Sequence, residues 1–65
     1  MGLKEKRQQA GLSQSQLAER SGISFRMIQH YEQGVKDLNK AAAITVYNLA
    51  QALGCTVEDL VEVDE

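Results

Sequence analysis

The sequence contains no proline and no tryptophan, and it has one cysteine, one histidine and one phenylalanine. Because Cys55 has no cysteine to pair with, an internal disulfide is excluded, and we expect a fold suited to a reducing cytosol. A single histidine and a single cysteine leave a metal ion without a second soft ligand. A glycine-rich phosphate-binding loop is also missing. We therefore expect no enzyme activity, no cofactor and no metal.

Long apolar runs are absent as well. No stretch approaches the roughly 20 residues that cross a bilayer as a helix, and no charged-then-apolar leader opens the chain. We expect a soluble, cytoplasmic protein with no membrane partner. With 65 residues, the chain is near the lower size at which one hydrophobic core sustains a fold. We therefore expect residues 1–65 to form a single domain.

The net charge of −2 is unevenly distributed along the chain. Residues 1–57 contain seven basic and four acidic residues, a net charge of +3, whereas residues 58–65 contain five acidic residues and no basic one. Salt screens charges over a Debye length of about 8 Å, so local charge matters more than the total. The basic body is compatible with nucleic-acid binding, although we expect that binding to be weaker and more salt-sensitive than that of a strongly basic domain.

Glycines divide the sequence into five predicted helices. Four of them stand where a helix is expected to end in the left-handed conformation: Gly11, Gly22, Gly34 and Gly54. The predicted helices cover residues 3–10, 14–21, 25–33 and 40–53, and a short fifth helix follows Thr56. Thr56 and Asp59 have the spacing of a capping box at the start of that fifth helix.

Capping signals also mark the middle of the chain. Ser13 followed by Gln16 is a capping box at the start of the second helix, Ser24 is expected to cap the third, and Asn39 the fourth. The second and third helices are joined by a tight turn at residues 21–23. Two helices joined in this way form either a DNA-binding helix-turn-helix or an ordinary corner between helices.

The third helix has two different sides when its residues are placed about 100° apart. Its apolar side carries Met27, Ile28 and Tyr31. The opposite arc contains no acid and has Phe25 at its edge; its polar members are Arg26, Gln29, His30 and Gln33. Arginine can bond guanine, glutamine can bond adenine, and phenylalanine can contact the thymine methyl group. Because a solvated face usually mixes both charge signs, the absence of acids favours DNA reading.

The fourth helix has a narrow apolar stripe that predicts a core face. Its members are Ala42, Val46, Leu49, Ala50 and Leu53. Ile44 and Tyr47 lie outside this stripe. They either pack on the C-terminal residues Val61 and Val63, which we expect, or form a surface for a partner.

The segments GLSQSQLAE at residues 11–19, SGIS at 21–24, YEQG at 31–34 and LAQALGCTVEDL at 49–60 resemble the Cro and phage-repressor (XRE-type) family of bacterial helix-turn-helix proteins. The resemblance covers nearly the whole chain. It implies an all-α, compact five-helix, lambda-repressor-like DNA-binding domain, with the helix-turn-helix at about 14–33 and a short acidic segment at 58–65.

The resemblance also implies residue roles. The positions that contact bases are those of Phe25, Arg26, Gln29 and His30. The positions that contact backbone phosphates, and so set the register without reading sequence, are those of Gln14, Ser24, Gln33, Lys36 and Lys40. Arg7 and Glu32 would form a partly buried ion pair between the first and third helices. Lys6 departs from the family pattern, which has a buried Leu or Ile there, so we expect the first helix to be loosely held.

These features together predict a transcriptional regulator. We expect a repressor that binds double-stranded DNA at an inverted-repeat operator. We expect it to be a homodimer at least when it is bound to DNA. The alternative is an antitoxin or protein-interaction module that uses the same fold to bind a toxin or another protein. Salt dependence separates the two, because binding through several phosphates weakens steeply as salt rises.

Overall fold

The computed structural model describes residues 2–61, and every regular element in that range is helical. The four α-helices are α1 (Leu3–Gln9), α2 (Gln14–Ser21), α3 (Phe25–Gln33) and α4 (Ala43–Leu53). Two short 3-10 turns, Leu38–Lys40 and Val57–Asp59, precede and follow α4. The all-α class is confirmed. None of the helices within residues 2–61 is both long enough and apolar enough to span a membrane.

The starts of α2 and α3 are fixed by serine caps. The Ser13 hydroxyl accepts a hydrogen bond from the Gln16 amide at 3.0 Å, and the Gln16 side chain accepts one from the Ser13 amide at 2.9 Å. The Ser24 hydroxyl accepts from the Met27 amide at 3.2 Å. These bonds satisfy amides that a first helical turn leaves unpaired. Both helices have the predicted bounds.

The turn between α2 and α3 sets the angle at which α3 leaves α2. Gly22 has a φ of 74°, a conformation that residues with a Cβ atom rarely adopt. Its amide donates to the Ala18 carbonyl at 3.0 Å. The hydroxyl of buried Ser21 accepts from the Ile23 amide at 3.1 Å, and Ile23 packs against the core. The turn is therefore held by both local bonds and apolar burial.

The hydrophobic core lies where α2, α3 and α4 meet. One fully buried side chain comes from each helix, namely Leu17, Ile28 and Leu49, each with no exposed surface. Burying an aliphatic side chain of this size stabilises a fold by about 1.5–3 kcal/mol. The remaining buried apolar residues extend this core to α1, the loops and the C-terminal turn: Leu3, Leu12, Leu38, Val46, Ala50 and Leu60.

The predicted start of the fourth helix is wrong. The Asp37 carboxylate, rather than Asn39, caps the segment by accepting from the Asn39 amide at 2.9 Å, and this closes the 3-10 turn Leu38–Lys40. The turn buries Leu38 in the core. Extended backbone then carries the chain through residues 41–42 to α4. A helix running continuously from residue 40 is incompatible with this path.

The expected fifth α-helix is also absent from residues 2–61. The capping box of Thr56 and Asp59 does form, with bonds of 3.0 and 3.3 Å, but it closes a single 3-10 turn. Nucleating a helix is costly, and one turn does not recover that cost. Leu60 nevertheless becomes buried, with Val57 and Val61 packed partly against the core. The turn therefore supplies the apolar contacts expected of the helix.

The apolar stripe of α4 is largely as predicted, because Val46, Leu49 and Ala50 are buried and Leu53 packs against them. Ala42 is a correction, since it is exposed and precedes the helix as its N-cap. Ile44 and Tyr47 are 63% and 50% exposed, which contradicts the expected packing. Val63, one of their two expected neighbours, lies outside the described residues.

Candidate nucleic-acid interface

Helix α3 is anchored on one side and exposed on the other. Ile28 is fully buried and Tyr31 packs against the core. Met27, the third residue of the expected apolar side, is only half-buried. On the opposite side Phe25 is 42% exposed, and Arg26 is exposed as well. Since the core holds the inner side in place, the outer side is presented on a rigid support.

The remaining residues of the outer arc differ in accessibility. Gln33 is exposed, whereas Gln29 and His30 are half-buried. The Nδ1 atom of His30 is enclosed by protein and has no hydrogen-bond partner among the described residues. An imidazole carries only two nitrogen atoms. A ligand approaching this ring can therefore use Nε2 alone, which restricts how His30 can contact a base.

Glu32 is the single acid of α3, and its side chain does not lie on the exposed surface of the helix. The Glu32 side chain is only 3% exposed. Its Oε2 accepts from Arg7 Nε at 2.7 Å and its Oε1 accepts from Arg7 Nη2 at 3.0 Å. This bidentate geometry neutralises the carboxylate and gives the pair more strength than one bond would. The outer side of α3 thus carries Arg26 and no exposed acid.

The ion pair ties four segments of the chain together. Arg7 lies on α1 and its Nη1 donates to the Leu12 carbonyl, in the loop before α2, at 2.8 Å. Glu32 on α3 also accepts from Gln14 Nε2, at the start of α2, at 3.1 Å. The hydrogen bond to Glu32 raises the pKa of Arg7, while burial acts in the opposite direction. Arg7 therefore stays charged, and its bonds join α1 to α3 and to the loop before α2.

The bond between Gln14 and Glu32 was missed by the sequence interpretation. The two residues are 18 positions apart, so no local spacing signals their contact. Gln14 is half-buried at the first position of α2. A glutamine amide nitrogen has two hydrogens, so one remains for a ligand at this helix end. The ion pair and the expected phosphate contact are therefore parts of one network.

The other expected phosphate contacts are exposed and lie in three places. Ser24 stands at the start of α3 and Gln33 at its end. Lys36 and Lys40 belong to the segment between α3 and α4. The loop also contains one exposed acid, Asp37, whose carboxylate accepts from the Asn39 amide. With Arg26, the two lysines supply the positive charge of this region.

The C-terminal turn carries negative charge and the only cysteine. Hydrogen bonding to Thr56 lowers the pKa of Asp59, with the backbone bond having the larger effect and the side-chain bond the next largest. Burial has the largest effect on the Cys55 thiol and raises its pKa. The charge of Asp59 raises this pKa further, whereas the charge of Lys6 lowers it. Cys55 is therefore held as a neutral, half-buried thiol, which is unsuited to nucleophilic chemistry. Lys6, which stands where the family pattern has a buried Leu or Ile, is half-buried.

Comparison with known proteins agrees with this architecture. A family model described as Helix-turn-helix matches residues 3–60, which include all four α-helices and both 3-10 turns. No curated protein and no solved structure matches the chain.

Proposed function

Because the chain belongs to the XRE (Cro/C1) type of the helix-turn-helix family, whose members bind DNA, we propose that it is a sequence-specific transcriptional regulator that inserts α3 into the major groove. One observation carries this proposal. The outer side of α3 presents Phe25 and Arg26, while Glu32, the only acid of the helix, is buried in an ion pair. An α-helix fits the major groove of B-DNA, where every base pair displays a distinct pattern.

The base-reading roles follow from the chemistry of each side chain. The Arg26 guanidinium bonds the two acceptors of a guanine, and the Gln29 amide bonds adenine. Phe25 contacts a thymine methyl group. His30 donates or accepts through Nε2, since its Nδ1 is enclosed. Arg26 is the most exposed of the polar readers, so we assign it the largest share of specificity.

Phosphate contacts surround this reading surface. Gln14 lies at the amino end of α2, where the helix dipole and unpaired amides favour an anion, and Ser24 lies at the amino end of α3. Gln33, Lys36 and Lys40 extend the contacts past the end of α3. Such contacts fix orientation and register on the duplex without reading sequence.

We further propose that the protein is a repressor that binds an inverted repeat as a homodimer, with half-sites about one helical turn apart. One helix of nine residues reaches too few base pairs for tight specificity, so a second copy on the same DNA supplies the rest. A dimer seated on an operator that overlaps a promoter represses by occluding that promoter. The antitoxin alternative requires a protein partner in addition.

Selection of bound sequences from a random DNA pool tests this function, followed by affinity measurements at increasing salt. We expect a palindromic consensus, and a plot of log affinity against log salt whose slope is about −0.9 for each phosphate contacted. An unrelated duplex is the control and should bind more weakly at every salt concentration. Recovery of no enriched sequence, or an affinity unchanged by salt, would contradict the proposal and favour a protein partner.

A further inference from the structure

The two nitrogen atoms of the His30 ring lie in very different surroundings. Nδ1 is buried without a hydrogen bond, and within residues 2–61 it is the only buried side-chain nitrogen or oxygen atom of which this is true. Nε2 is not buried in this way, and the residue as a whole is half-buried on α3. Because most buried polar atoms in proteins have a hydrogen-bond partner, the enclosed Nδ1 restricts the chemistry of the ring.

The enclosure favours one position for the hydrogen of the neutral ring. A neutral imidazole carries a single hydrogen, either on Nδ1 or on Nε2. A hydrogen on Nδ1 would need room inside the enclosure and would have no acceptor, and buried N–H groups without an acceptor are rare. A bare Nδ1 leaves only a lone pair without a donor, and buried acceptors tolerate this more often than donors do. The hydrogen therefore belongs on Nε2, where water or DNA can accept it.

From this asymmetry we infer that His30 acts only as a hydrogen-bond donor toward DNA, through Nε2, and that it selects a G·C base pair. The inference rests on the proposed function, because it requires α3 in the major groove. There guanine displays two acceptors, N7 and O6, and no donor, whereas adenine displays a donor beside its acceptor and cytosine displays a donor. A histidine with its hydrogen on Nδ1 could accept from those amino groups. With its hydrogen on Nε2 it cannot, and guanine is the base that suits it.

The neighbours of His30 on α3 extend this inference to the half-site. Arg26 lies four residues earlier, so the two side chains project from the same side of the helix. Arginine has donors and no acceptor, and the two residues therefore present donors alone. Gln29 is the one polar base-reading candidate whose side chain offers both a donor and an acceptor. We therefore expect G·C at the two base pairs read by Arg26 and His30, and A·T at the pair read by Gln29.

The first arm of the test uses the protein without DNA. The sequence contains one histidine, so NMR of isotope-labelled imidazole nitrogens reports on His30 alone. Spectra are recorded at about pH 8, where histidine is ordinarily neutral, for the folded protein and for the protein unfolded in urea. We expect the hydrogen on Nε2 in the folded protein and averaged signals of both neutral forms in urea. A hydrogen on Nδ1, or the same mixture in both states, would overturn the inference.

The second arm compares sequences selected from a random DNA pool by the wild type and by His30→Gln. A glutamine amide offers a donor and an acceptor, which suits adenine. We expect one base-pair position of each half-site to differ between the two selections. The wild type should prefer G·C over A·T there by about fivefold, the ratio that one hydrogen bond gives, and His30→Gln should prefer A·T. The positions read by other side chains are the internal control and should agree in both selections.

The outcomes of the second arm separate this inference from the proposed function. A wild-type preference for A·T at the position that changes, or identical selections by the two proteins, would overturn the role of His30 while leaving DNA binding intact. If the wild type enriches no sequence, the proposed function fails, and the selection of G·C fails with it. The NMR arm then still decides whether His30 is a donor at Nε2, because it needs neither DNA nor a variant.

Discussion

The side-chain amide nitrogen of Gln14 donates a hydrogen bond to the carboxylate of Glu32 at 3.1 Å, and the same carboxylate is paired with Arg7. This contact joins the buried ion pair to the residue expected to hold a DNA phosphate. Glu32 is therefore more than a structural acid of α3. It orients the side chain at the amino end of α2.

Replacement of Glu32 by Gln should lower both stability and DNA affinity. The glutamine keeps one acceptor for Arg7, and the Leu12 carbonyl keeps another, but the negative charge is lost. We therefore expect a loss of about 2–3 kcal/mol in the free energy of unfolding, below the roughly 3–5 kcal/mol of a buried pair that is broken outright. Urea denaturation measures this loss. Glu19→Gln, at an exposed position of α2, is the matched control and should change stability by less than about 0.5 kcal/mol.

The effect of Glu32→Gln on DNA binding separates a positioning role from a purely structural one. Gln14→Ala should weaken binding to all sequences alike, because a phosphate contact carries no sequence information. If Glu32 acts through Gln14, adding Glu32→Gln to Gln14→Ala should weaken binding of the folded protein little further. Losses in affinity that simply add in the double variant would show that the two residues act independently.

Core and surface positions of α4 should respond very differently to truncation. Leu49 is fully buried, so Leu49→Ala should cost about 2–5 kcal/mol of unfolding free energy through lost burial and a cavity. Ile44→Ala, on the same helix and 63% exposed, should change stability by less than about 0.5 kcal/mol. Thermal or urea unfolding of both variants checks this. Comparable losses would mean that Ile44 is part of the core.

The sequence predicted α2, α3 and the turn between them because their signals are local. Each serine cap bonds an amide three residues away, and Gly22 meets a conformational requirement within its own residue. The separation of Ile28 from Arg26 likewise follows from helix geometry alone. In this part of the chain the local caps and the burial of apolar side chains favour the same helix bounds, so the sequence pattern alone predicts those bounds.

Features decided by distant contacts were predicted poorly. Both Asp37 and Asn39 are good caps, and the burial of Leu38 selects Asp37. The exposure of Ile44 depends on which other parts of the fold pack against α4, which helix periodicity does not reveal. The bond of Gln14 to Glu32 joins residues 18 positions apart, and no sequence pattern encodes it.

Asp59 should make stability depend on pH in the acidic range. Bonds from Thr56 lower its pKa in the folded protein below the ordinary 3.8. The stabilisation is therefore complete above pH 3.8 and is lost as the pH falls through the lower folded pKa. Wild type should be more stable than Asp59→Asn at neutral pH, and the difference should shrink below pH 3.8. Urea midpoints over this range test the prediction, and a difference that grows on acidification would contradict it.

Sequence discrimination by Arg26→Ala tests the central claim most directly. Affinities are measured for the selected operator, for operators with single base-pair changes and for unrelated DNA, with Arg20→Ala, an exposed arginine of α2, as the matched control. We predict that Arg26→Ala loses about 1–3 kcal/mol of discrimination at one base pair per half-site. Its affinity for unrelated DNA should fall only by the small amount that the loss of one positive charge causes. Arg20→Ala should discriminate between operators as the wild type does. Full discrimination by Arg26→Ala would contradict the assignment of α3 as the reading helix.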